Sequence, residues 1–166
     1  VASYSLEFLR AKPELERVYV PIGLGSGICG MICARNALGH QAKIVGVVST
    51  EADCYARSLQ AGHPVSTDSA NTLADGMAVR NPDPAAVDMM LGEVDHVVAV
   101  NDGDILAAVG QLFSATHNVA EGAGAASLAA LLSERAACAG QRVGLVLSGG
   151  NIDRQLYMEA LSCAGG

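Results

Sequence analysis

The chain has 166 residues, of which 51% are apolar and 16% are charged, a balance typical of one folded globular domain. Ten Lys and Arg residues stand against seventeen Asp and Glu residues, and this net charge of −7, with no basic run, argues against a nucleic-acid surface. The sequence contains no apolar run of about 20 residues and no signal-peptide pattern at its start, so we expect a cytoplasmic protein that binds a small molecule and no membrane.

Valine-rich apolar runs predict four strands buried on both faces, which is typical of a parallel sheet. These runs cover residues 17–22, 43–48, 94–100 and 142–147. A helix-like segment over 3–16 opens the chain, and further helices are predicted over 27–38, 51–60, 102–116 and 124–137. This alternation predicts an α/β fold in which helices flank a parallel sheet. Between residues 62 and 84 apolar periodicity is weak, and we expect a functional loop there.

Metal binding through cysteine and histidine has little support in the sequence. The five cysteines are odd in number and scattered, so we interpret them as reduced. Cys29 and Cys33 lie four residues apart on a predicted helix, where small buried apolar residues are a simpler interpretation than metal ligands. The four histidines fall in separate segments without the spacing of a zinc site.

The segment PIGLGSGICG, residues 21–30, joins the first predicted strand to the following helix with four glycines. Backbone N–H groups at the amino end of a helix attract anions, so this loop predicts a phosphate site. Gly25, Gly27 and Gly30 also match the dinucleotide fingerprint G-x-G-x-x-G, with Glu51 about 20 residues further on. Taken alone, the loop leaves open a nicotinamide or flavin site and a purely structural turn.

Three further segments follow the glycine loop in order: TLADGMAVR (72–80), HNVAEGAGAASLAALL (117–132) and VLSGGNID (146–153). Together the four segments resemble the serine/threonine dehydratase family of pyridoxal-phosphate (PLP) enzymes, which have the tryptophan-synthase-β-like fold, known as fold type II. The resemblance implies that residues 1–166 form a partial PLP-binding domain, part of the large domain. It covers the carboxyl-terminal half of such an enzyme and has no counterpart of the amino-terminal half.

The resemblance also implies which residues hold the cofactor. The phosphate would be wrapped by the loop residues Gly23, Leu24, Gly25, Ser26 and Gly27. Leucine and serine depart from the nearly all-glycine loop of the family, but the backbone N–H groups remain and Ser26 adds a hydroxyl donor.

Two side chains are expected around the cofactor ring. Ser148 matches the serine at the pyridine nitrogen of PLP, and a neutral hydroxyl there suits loss of a β-leaving group after Cα deprotonation. Glu121 matches the family's glutamate beside the ring. A strand-ending turn explains SGGN without a ligand, and a first-turn charge explains Glu121. Asp75, in the family's A-D-G segment near the active site, is explained equally well by an Asx-type turn.

Some family members bind a divalent cation through a glutamate at the end of the second strand and a nearby aspartate. Asp53 matches the aspartate, but Val47 stands at the glutamate position, and Glu51 would replace it only in part. Because a hard cation needs several oxygen ligands, we predict no tight Mg²⁺ or Ca²⁺ site.

The lysine that carries the cofactor in this family has no match in the chain. Its two lysines, Lys12 and Lys43, lie outside the S-x-K context of the family motif. We therefore expect no catalytic residue here and no activity of this chain alone.

The expected activity is that of a PLP-dependent ammonia-lyase, which converts threonine, serine or another small hydroxy amino acid to a 2-oxo acid and ammonia. It would arise when the chain joins the missing amino-terminal half, in a homo-oligomer that covers exposed strand edges. Two alternatives remain: an amino-acid racemase of the same fold, and a non-catalytic Rossmann-like module that binds a phosphate or nucleotide.

Overall fold

The computed structural model describes residues 1–163. Its strands are β1 (Arg17–Pro21), β2 (Lys43–Ser49), β3 (Val94–Val100) and β4 (Val143–Leu145). They form one sheet in the order β3-β2-β1-β4, and every neighbouring pair is parallel. Arg17 pairs with Lys43 on one side and with Val143 on the other, so the carboxyl ends of the strands lie along the same edge. The predicted α/β class and its four parallel strands are confirmed, but burial on both faces holds only for the central β1 and β2. The edge strands β3 and β4 have one fully buried residue each, because each pairs with a neighbour on one side only.

Seven helices flank the sheet within residues 1–163: α1 (Ala2–Ala11), α2 (Ser26–Leu38), α3 (Cys54–Ala61), α4 (Pro84–Met90), α5 (Asp102–Thr116), α6 (Gly122–Ser133) and α7 (Arg154–Cys163). Alternate strand residues point to opposite faces. Val18 and Val20 pack with α1 to α4, whereas Tyr19 packs with α5 and α6. The two apolar layers explain why the strands are unbroken hydrophobic runs in the sequence.

Two helices, α4 and α7, are absent from the sequence-based prediction. Helix α4 has seven residues, too few for a clear apolar period, and begins at Pro84 after Asp83, whose carboxylate accepts a 2.9 Å hydrogen bond from the Ala86 N–H. Helix α7 has Ala160 as its one fully buried residue, so its segment lacks a clear apolar period in the sequence. The predicted start of α3 at residue 51 is three residues early, because Ala52 forms an isolated bridge with Ser49 first.

The long loop between α3 and α4 is confirmed, and its one regular element is a 3₁₀ turn over Asp75–Met77. Asn101 caps α5, since its Oδ1 accepts a 2.9 Å hydrogen bond from the Asp104 N–H. Within residues 1–163, none of the helices combines the length and the apolar character that crossing a bilayer requires.

Candidate cofactor-binding site

The glycine loop begins where β1 ends, at the carboxyl edge of the sheet. The Ile22 N–H still donates to the Val47 carbonyl at 2.8 Å, and the chain then turns through Gly25, whose φ of +96° is in the left-handed region. A Cβ at this glycine would lie 2.7 Å from the Ala86 Cβ, so the buried position has no room for a side chain. A Cβ on Gly23 would clash with the carbonyl oxygen of Gly76. Both glycines therefore serve close packing as well as the turn.

The loop leads directly into the thirteen-residue helix α2. Among the described residues, no protein acceptor takes a hydrogen bond from the backbone N–H groups of residues 23–28. These donors lie at the positive end of the helix dipole. The arrangement fits an anion such as a phosphate, which would satisfy several of them together.

The glycine loop and the segment after β4 border a cavity of about 450 Å³, within the range of small-molecule sites. Its walls include residues from the loop, the 3₁₀ turn, α6 and the end of β4: Pro21, Gly23, Leu24, Gly25, Ser26, Gly27, Gly76, Met77, Ala123, Val146, Leu147 and Ser148. All five predicted phosphate-loop residues and Ser148 thus line one cavity. Ser148 is exposed, and its hydroxyl and the loop donors suit a ligand that carries an anionic group and a second polar group.

Glu121 lies in a neighbouring cavity of about 410 Å³ that shares Gly76 with the first and also contains Asp75. Its Oε2 accepts a 3.1 Å hydrogen bond from the Asn151 N–H, and its own N–H donates to the Gly149 carbonyl at 3.1 Å. The side chain makes no capping hydrogen bond to α6. Glu121 therefore holds the loop after Ser148 in place, and its role beside a cofactor ring stays a prediction.

The two lysines lie away from this cavity. Lys43 opens β2 at the opposite edge of the sheet and forms a 3.0 Å ion pair with Asp95. Lys12 is exposed at the carboxyl end of α1. Neither ammonium group lines the cavity, so neither is positioned to bond to a ligand there.

The residues weighed for a cation site have other surroundings. Asp53 accepts a 2.8 Å hydrogen bond from Arg57 Nε, and Val47 is fully buried within β2. In residues 1–163, no three His, Cys, Asp or Glu side chains are grouped so that they could hold a metal ion.

Two tyrosines that contact the glycine loop were not predicted from any sequence pattern. The Tyr4 hydroxyl donates to the Gly27 carbonyl at 3.3 Å, and burial raises the pKa of this phenol. The Tyr55 hydroxyl donates to the Leu24 carbonyl at 2.8 Å. Both contacts join residues more than twenty positions apart, which no local pattern reports.

A parallel α/β sheet that carries a glycine loop and a serine around one cavity at its carboxyl edge is typical of domains that bind a small-molecule cofactor. The model of the family described as "Pyridoxal-phosphate dependent enzyme" matches residues 1–149. The chain therefore belongs to the pyridoxal-phosphate dependent enzyme family.

Individual relatives agree with this assignment. L-threonine ammonia-lyase of Thermotoga maritima is 36% identical over 148 residues, which are 89% of this chain and 37% of that protein. The crystal structure of a threonine deaminase from T.th. matches with a TM-score of 0.84 and 32% identity, over 92% of this chain and 57% of that one. The structure of maize serine racemase matches with a TM-score of 0.87 and 29% identity, over 97% of this chain and 50% of that one. The chain spans 37% to 48% of the length of the first curated relatives it matches.

Proposed function

We propose that this chain binds PLP and forms part of an ammonia-lyase that acts on threonine, serine or a related hydroxy amino acid. The observation that carries the proposal is a single cavity lined both by loop residues 23–27, whose backbone N–H groups have no acceptor among the described residues, and by Ser148. Relatives named threonine ammonia-lyase and threonine deaminase support the same reaction class.

In this proposal the chain's own residues bind and orient the cofactor. The loop Gly23–Gly27 binds the phosphate through backbone N–H groups, and the Ser148 hydroxyl forms a hydrogen bond with the pyridine nitrogen. When bound, PLP supplies a sink for the electrons left by Cα deprotonation. A neutral serine cannot hold the ring nitrogen protonated as a carboxylate would, which favours departure of a β-hydroxyl over reactions that need a stronger electron sink. Glu121 maintains the position of Ser148 by holding residues 149–151.

The lysine that bonds to the cofactor and moves the Cα proton would come from outside residues 1–166. We assign this lysine, and the residues that bind the substrate carboxylate, to the amino-terminal half of the enzyme. This domain is then one part of a larger PLP-binding unit, and we propose that it functions in a homo-oligomer.

The first test is binding. Calorimetric titration of the chain with PLP, with pyridoxal, which lacks the phosphate, and with NAD is expected to give the tightest binding for PLP. Replacing Ser148→Ala should weaken PLP binding, whereas Ser162→Ala, at an exposed serine on α7, should not. Preferential binding of NAD would instead favour a nucleotide-binding module.

The second test is activity. Mixed with the amino-terminal part of the Thermotoga maritima relative, the chain is expected to convert threonine to a 2-oxo acid and ammonia. A complex that inverts the amino acid and releases no ammonia would contradict the lyase and favour a racemase, a possibility raised by the similarity to maize serine racemase.

A further inference from the structure

Tyr55 connects three segments: its own helix α3, the glycine loop and the start of α4. The side chain comes from α3 and is 1% exposed, and its hydroxyl donates to the Leu24 carbonyl at 2.8 Å. The same hydroxyl accepts a 3.0 Å hydrogen bond from the Asp83 N–H, at the start of α4. Burial raises the pKa of the Tyr55 phenol, so it keeps the proton that it donates to Leu24.

The bond to Leu24 fixes the orientation of a whole peptide group. No peptide bond in the described residues is cis, so the Leu24 carbonyl and the Gly25 N–H point in opposite directions from one peptide plane. Tyr55 lies behind the loop and is not among the residues that line the cavity. Because the carbonyl is bonded to Tyr55, the N–H points away from Tyr55, and Gly25 itself lines the cavity.

A glycine loop needs such an anchor because its peptides rotate easily. Gly25 lies at φ +96°, and glycine occupies positive and negative φ about equally well. Rotation of the 24–25 peptide would turn the carbonyl, a hydrogen-bond acceptor, toward the place where an anion binds. We infer that Tyr55 is a positioning residue that holds the Gly25 N–H toward the cofactor phosphate.

This inference rests on the proposed PLP site, and the experiment separates the two. The full chain is compared with Tyr55→Phe and Tyr19→Phe. Tyr19 is a matched control because its hydroxyl is also buried, but it donates to Glu134 at 2.6 Å, on the other side of the sheet. Dissociation constants for PLP and pyridoxal are measured by calorimetry.

Y55F is expected to weaken PLP binding roughly five- to tenfold, the effect of one lost hydrogen bond, and to leave pyridoxal binding unchanged. Y19F should change neither constant. Unchanged PLP affinity in Y55F overturns the inference. Equal weakening for both ligands in Y55F overturns it as well, because a general loss of structure would have that effect.

A second measurement uses no ligand. In ¹⁵N–¹H spectra of the free proteins, the Gly25 amide signal is expected to shift or broaden in Y55F and to keep its position in Y19F. An unchanged signal in Y55F overturns the role of Tyr55. Failure of the unaltered chain to prefer PLP over pyridoxal instead contradicts the proposed function, so the two failures are distinguishable.

Discussion

The carboxylate of Asp102 accepts a 2.8 Å hydrogen bond from the backbone N–H of Leu73. Its other oxygen accepts bonds from the Thr72 hydroxyl at 2.5 Å and the Ser49 hydroxyl at 3.3 Å. One side chain at the start of α5 therefore joins the end of β2 to the long loop, immediately before the turn that contributes Gly76 to the cavity.

Replacing Asp102→Asn is expected to lower the free energy of unfolding by roughly 1–3 kcal/mol, because one amide oxygen cannot replace two carboxylate oxygens, and either the Leu73 N–H or the Thr72 and Ser49 hydroxyls lose their acceptor. Urea unfolding measures the loss. Asp104→Asn, two residues along the same helix and exposed, serves as the control. Equal stability of the two variants would contradict this role.

Replacing Gly23→Ala is expected to destabilise the protein by about 1–3 kcal/mol, because the methyl group would clash with the Gly76 carbonyl oxygen. Gly27→Ala is the matched control, since the nearest atom to its added Cβ is the Tyr4 hydroxyl at 3.5 Å, an ordinary contact. Alanine at this helical position should leave stability unchanged or raise it by about 0.5–1 kcal/mol. Thermal unfolding measures the stability of both variants. An unchanged unfolding temperature in Gly23→Ala would contradict the prediction and show that the loop can move away from the 3₁₀ turn.

Replacing Glu121→Gln and Glu121→Ala distinguishes a hydrogen-bonding role from a simple charge effect at the start of α6. Glutamine keeps an oxygen that can accept the Asn151 N–H, whereas alanine leaves that N–H without this partner. We expect the alanine variant to lose about 0.5–1 kcal/mol more stability than the glutamine variant, because the bond is exposed and water can replace the lost acceptor. Amide exchange at Asn151 should follow the same order. Equal losses in both would indicate that the charge is what matters.

The lowered pKa of Asp95 predicts a small loss of folding stability at acid pH. The hydrogen bond from His96, and after it the one from Lys43, hold the pKa of this carboxyl below its ordinary value despite partial burial. A lowered folded-state pKa means that the stabilisation is complete above the unfolded-state pKa, about 3.9, and is lost as the pH falls through the folded-state pKa.

Because the pair is partly exposed, Asp95→Asn should remove less than about 1 kcal/mol at neutral pH. It should also flatten the fall in stability below about pH 4. Urea unfolding between about pH 3 and pH 7 tests this, with Asp88→Asn, an exposed acid on α4, as the control. A variant with the same pH profile as the unaltered chain would contradict it.

Several features of this protein are determined by the sequence over short distances. The valine-rich runs specified four strands, of which the central β1 and β2 are buried along nearly their whole length. The glycine spacing specified a turn into a helix with free N–H groups. Asn101 specified the start of α5 through a bond three residues along the chain. These features can be predicted from the sequence because hydrophobic periodicity, helix capping and turn formation depend on residues only a few positions apart.

The tertiary structure decided how distant segments complete the site. It brought Gly76 against Gly23, and it placed the Glu121 carboxylate on the loop after Ser148 rather than in the main cavity. It also joined the Tyr55 hydroxyl to the Leu24 carbonyl, 31 residues away. Such contacts depend on how helices pack against the two faces of the sheet, and long-range packing leaves no periodic signal in the chain.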